Sequence, residues 1–217
     1  MIRPILPNYP LPIPNPASMQ TEIAVLLGKL TFMLGLALFI VWLMLKTQRK
    51  NGITPDMTVC LLLTMSVGLF TFLPYGITLE SAKGLILFGI LLFASASDIY
   101  KREVPDCAWI MIAILAFVCF ETSNLPSMLL GAAVVFLPQL LLAMIRPNKA
   151  VGGADIKIST AAAFLLGAEK GILTLIIGLS LAVIVMLILR KVKNTNKNEP
   201  FPLVPFLSVG IMVAYLV

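Results

Sequence analysis

The sequence predicts an all-α polytopic membrane protein, and three observations carry that prediction. Hydrophobic residues make up 59% of the 217-residue chain and charged residues only 12%, where a soluble domain holds about 25%. The apolar residues fall into eight long runs separated by short charged, proline-bearing or glycine-bearing breaks. The basic residues gather in alternate breaks, as in a chain threaded back and forth through a bilayer. A mean hydropathy of +1.02 is more apolar surface than a soluble core can hide.

The chain opens with Pro4, Pro7, Pro10, Pro12, Pro14 and Pro16. Proline at this density resists helix and favours extended or polyproline backbone, so residues 1–21 are expected to form an extracytoplasmic tail. No charged stretch runs directly into an apolar one there, as a signal peptide requires. The apolar runs follow at about 23–45, 57–73, 82–97, 105–120, 126–145, 156–166, 171–189 and 203–217. A crossing needs at least about 17 helical residues. The first, fifth and seventh runs meet this easily. The sixth is short: it either extends through Gly167-Ala168-Glu169 or begins below the membrane surface, which sinks Asp155 toward the bilayer.

The loops give the orientation. One set holds Lys46, Arg49, Lys50, Lys101, Arg102, Arg146, Lys149, Lys157, Arg190, Lys191, Lys193 and Lys197; the other holds Arg3, Lys83 and Lys170. This twelve-to-three split requires strict alternation through eight spans. The basic loops are cytoplasmic by the positive-inside rule, and both termini face outward. Topology thus accounts for the net charge of +6, and no nucleic-acid partner is needed to explain it. Histidine is absent, which removes Ser–His catalysis and His-based metal sites. Cys60, Cys107 and Cys119 form no CxxC pair and are read as buried apolar thiols, so neither a metal nor a cofactor is expected.

Two acids stand out, both on the cytoplasmic side. Asp155 follows Val151-Gly152-Gly153-Ala154 and opens the sixth run. The two glycines permit backbone shapes and close approaches that a Cβ resists. An acid there suits an active-site turn, and it equally suits a plain helix start favoured by the macrodipole. Lys157 points about 200° from Asp155 around a helix and is expected to snorkel to the headgroups. Asp98 ends the third run. The helix is expected to continue to Val104, since a residue before proline leaves the α region; Arg102 then stands at i+4 on the face of Asp98 and favours its ionised form. Pro105 is expected to open the next helix, with Asp106 complementing its dipole. Two carboxylates at one site cannot both ionise easily; one can draw a proton from water while the other polarises an amide. Ser95, Ser97 and Ser159 lie nearby without a suitable base.

These residues resemble the type IV prepilin peptidases, a family of polytopic aspartic proteases with Gly-x-Gly-Asp type motifs. The first pattern reads Asp98, Ile99-Tyr100-Lys101, Arg102, Glu103, Val104, Pro105, Asp106, where Asp106 departs from the usual Asn. The second reads Gly152, Gly153, Ala154, Asp155, Ile156, Lys157, with Ala154 for the second glycine. The run Pro200-Phe201-Pro202-Leu203-Val204-Pro205 is similar to the family's approach to its last helix. The resemblance implies catalytic Asp98 and Asp155, supported by Arg102, Pro105, Gly152, Gly153, Ala154 and Lys157. It implies a six-helix peptidase core over 81–217, with 22–80 as two accessory transmembrane helices. Its substrates are prepilin-like proteins, whose basic leader is cut at the cytoplasmic face of a prokaryotic inner membrane. Larger members carry a zinc domain with paired CxxC motifs and often methylate the product. The loop 46–56 here is short and cysteine-free, which leaves peptidase activity as the main inference. A presenilin-like protease is the nearer rival, against which the Asp98–Arg102–Pro105 pattern speaks. A small proton- or ion-coupled transporter is the more distant one, and no internal repeat supports it. The two carboxyl groups are expected to lie apart without substrate, with a mobile 146–154 loop closing over them.

Overall fold

A computed structural model describes residues 16–50, 57–76, 78–118, 121–145, 152–193 and 201–217. Among these the chain forms α1 (Pro16–Lys50), α2 (Met57–Tyr75), α3 (Leu79–Lys101), α4 (Cys107–Leu115), a 3₁₀ turn (Thr122–Asn124), α5 (Leu125–Ile145), α6 (Gly153–Leu166), α7 (Ala168–Lys193) and α8 (Val204–Leu216), with no strand among the described residues. Each α-helix coincides with one apolar run. Residues 1–15, most of the proline-rich tail, lie outside the described set, and helix begins at Pro16 rather than after Thr21. Proline suits a first helical position because its missing N–H has no partner there in any case.

Among the described residues, four stretches are long and apolar enough to cross a membrane: Thr21–Arg49, Leu79–Lys101, Thr122–Ile145 and Ala168–Val192. α6 has 14 residues and α8 has 13, roughly 20 Å each at 1.5 Å per residue, short of a hydrocarbon core about 30 Å thick. α6 does not extend into the next helix. Gly167 stops it in a φ of +84° that residues with a Cβ avoid, and α7 begins one residue later. A Cβ built on Gly131 of α5 meets the Ala163 carbonyl at 2.7 Å, so glycine is what lets α5 lie close on the end of α6.

α3 runs through the middle of the protein. It packs against α1, α2, α4 and α8, while α6 packs against α4, α5, α7 and α8. The main core lies between them: Leu87 and Leu91 of α3, Ile112 of α4, Ile158 and Ala162 of α6, and Ile211 of α8 are all fully buried. A second, smaller cluster joins Val41, Met44 and Leu45 of α1 to Cys60 of α2 over Leu92, Phe93 and Ala96 of α3. Buried polar pairs pin the helices. Ser95 Oγ and Ser208 Oγ stand 2.9 Å apart between α3 and α8. Gln139 Nε2 of α5 donates to Ser159 Oγ of α6 at 3.0 Å. Such interhelical bonds contribute about 0.6 kcal/mol on average in a membrane. The outward faces of α1, α5 and α7 are apolar and exposed, including Phe32, Trp42, Leu137, Leu141, Ile176 and Leu187, as lipid-facing surfaces are. The expectation of buried thiols holds for Cys60; Cys107 is exposed at the start of α4, and Cys119 lies outside the described residues.

Candidate active site

Asp98 sits in the last turn of α3. The helix ends sooner than expected. It stops at Lys101, and Arg102 takes a left-handed conformation (φ 57°) whose N–H donates to the Asp98 carbonyl at 3.0 Å. Arg102 is therefore a C-cap outside the helix rather than an i+4 neighbour within it. Left-handed backbone is rare for a residue with a Cβ, and no glycine marks the turn. The chain then passes through Pro105, which precedes α4 instead of opening it; its carbonyl accepts the Ala108 N–H at 3.0 Å.

The Asp98 side chain reaches across to α8. Its Oδ2 accepts the backbone N–H of Val204 at 3.1 Å. This is an orphan donor of a helix start. Pro205, next in line, has no N–H to offer. A carboxylate at this position also meets the positive end of the α8 dipole.

Asp155 is the third residue of α6 after the N-cap Gly152. Its Oδ2 folds back to accept the Gly152 N–H at 3.2 Å. Gly152 has ordinary extended backbone (φ −67°, ψ 144°), so torsional freedom is not what glycine supplies there. Proximity is: a Cβ at 152 meets Asp155 Oδ2 at 2.9 Å. Gly153 differs, since a Cβ there meets nothing within 4 Å. Ala154 is half-buried on the same first turn. One turn on, Ser159 Oγ donates to the Asp155 carbonyl at 2.7 Å while paired with Gln139.

Asp155 stands just ahead of the apolar run of α6. The two acids come from opposite ends of their helices, the last turn of α3 and the first of α6, each held by the backbone of a helix start. Lys157, like Arg102 and Pro105, is placed differently from expectation. It does not merely snorkel: its Nζ forms an ion pair with Asp106 Oδ1 at 2.6 Å and lies 5.9 Å from the centre of the Trp109 ring. Trp109 Nε1 donates to the same oxygen at 3.1 Å. Asp106 makes no side-chain cap bond to α4; instead Lys157 and then Trp109 hold its carboxyl below the usual range. Most of the 146–154 loop lies outside the described residues.

The long apolar helices mark the chain as a multi-pass membrane protein. Residues 85–187, from α3 into α7 and including both acids, match the type IV leader peptidase family. The match implies a peptidase of that kind. No curated protein and no solved structure matches the chain.

Proposed function

We propose that the chain is a membrane-embedded aspartic endopeptidase that removes the basic leader of type IV prepilins or pilin-like proteins. The reading places it in the inner membrane of a prokaryote, with cleavage at the cytoplasmic face. The observation that carries it is the presence of Asp98 and Asp155, each accepting a backbone N–H of a helix start, inside a segment of leader-peptidase sequence. The positive-inside bias gives both acids to the cytoplasmic side. In this topology the eight helices alternate through the bilayer, with the short α6 starting below the surface. Lipid then covers the apolar outer faces. α3 to α8 form the peptidase core, and α1 and α2 are accessory.

The acids divide the work. Each acid accepts one backbone N–H of a helix start; Arg102 caps the helix that bears Asp98, and a neighbouring cation suits the ionised role. Asp98 is thus the base that takes a proton from the attacking water. Asp155 holds the shared proton, polarises the scissile carbonyl and then yields that proton to the leaving amine. Arg102, Pro105, Gly152, Gly153, Ala154 and Lys157 shape the turns that present the two acids. The apo pair closes fully only around a substrate, as active-site closures do elsewhere. The test is cleavage of a prepilin-like substrate in membranes. Asp98→Asn and Asp155→Asn should each insert normally and release no product; full cleavage by either variant would remove the aspartic mechanism.

A further inference from the structure

At the other end of α3 and α6 lies a cavity of about 240 Å³ that the peptidase site does not use. Lys83 is fifteen residues before Asp98 on α3, about 22 Å along the axis, and Leu165, on the α6 side of the cavity, is ten residues or about 15 Å beyond Asp155. Lys83 is only 9% exposed, lines the cavity and makes no hydrogen bond or ion pair among the described residues. Its stem is buried, but its ammonium is not among the enclosed polar atoms and opens on the cavity wall, where a ligand anion would meet it. Ser127 stands on the same wall. Its Oγ accepts the Ala168 N–H at 3.2 Å, which leaves its own proton to donate. Asn124 adds an amide, and its Nδ2 lies 3.5 Å from Glu121 Oε2. Glu121 puts one exposed carboxylate on the rim, while Met128 and Leu165 make the floor apolar. The wall thus offers one cation and hydroxyl and amide donors, with one anion at the mouth.

We infer that this cavity binds the headgroup of an aminophospholipid, its phosphate on Lys83 and Ser127 and its primary ammonium on Glu121. A phosphate alone leaves Glu121 repelling it, and a choline headgroup offers Glu121 no N–H. By the positive-inside orientation this end faces the outer leaflet. The inference does not depend on the peptidase chemistry.

The test uses the delipidated full chain in detergent, with thermal unfolding and native mass spectrometry as readouts. The probes are phosphatidylethanolamine, phosphatidylcholine, phosphatidylglycerol and inorganic phosphate. Phosphatidylethanolamine should raise the unfolding temperature by several degrees and be retained at least about tenfold better than the other lipids, a difference of about 1.4 kcal/mol. Lys83→Met should abolish that preference and Lys83→Arg should restore it. Equal retention of all three lipids, or an undiminished preference in Lys83→Met, overturns the inference. So does a full shift with inorganic phosphate, which would mean a free-anion site. If Lys83→Met does not fold, Glu121→Gln on the exposed rim decides the matter: it should level phosphatidylethanolamine with phosphatidylcholine, and a preference that survives it overturns the assignment.

Discussion

The Asp98 carboxylate caps a helix that begins 106 residues later: its Oδ2 accepts the backbone N–H of Val204 at 3.1 Å. One side chain therefore closes the α3–α8 contact and bears half of the proposed chemistry. The two roles can be separated. Asp98→Asn keeps an oxygen for Val204 and should leave thermal stability within about 1 kcal/mol while activity falls at least 10³-fold. Asp98→Ala removes the cap as well and should lose a further 1–2 kcal/mol or so of stability. Equal stability of the two variants, measured by thermal unfolding in detergent, would mean that the α8 cap carries no weight.

The glycines before Asp155 should not respond alike. Gly152→Ala puts a methyl group against the Asp155 carboxylate. It should displace the carboxylate and cut kcat by about tenfold or more, the equivalent of one lost hydrogen bond to a charged group. Gly153→Ala meets open space and should leave stability unchanged or slightly raised. A loss in stability on Gly153→Ala, read by thermal unfolding, would contradict the described geometry of the turn.

α1 reaches the site through Gln48. This buried side chain donates from Nε2 to the Phe93 carbonyl at 3.0 Å and to Ser97 Oγ at 3.3 Å, next to Asp98 in the chain. Its Oε1 is buried with no hydrogen-bond partner. Gln48→Leu should therefore leave stability nearly unchanged, the lost bonds offset by removal of an unsatisfied oxygen. If the tie positions Asp98, kcat should drop about three- to tenfold with KM unmoved. Unchanged kcat would make α1 a packing element only.

Much of the fold was legible because an apolar helix in lipid needs little beyond length and composition. Each of the eight runs carries a helix among the described residues, and four of these stretches are long and apolar enough to cross a membrane. What escaped the sequence depended on contacts between distant segments. Val204 donates to Asp98 through a backbone group, which leaves no trace in residue type. The left-handed Arg102 carries no glycine to announce it. Lys157 finds Asp106 and Trp109 on another helix, a pairing that rotation about α6 alone could not reveal. Gln139 did leave a signal, an isolated amide after Pro138 in an apolar run, and such polar groups in membrane helices usually find a partner on a neighbouring helix.

The central claim is that Asp98 and Asp155 act as one unit, and a double-mutant cycle on substrate cleavage tests it most directly. Groups that share one catalytic step are grossly non-additive. Asp98→Asn, Asp155→Asn and the double variant should therefore fall to the same residual rate in a quantitative prepilin cleavage assay. Losses that multiply in the double variant, or a single variant that still cleaves at the wild-type rate, would contradict the account.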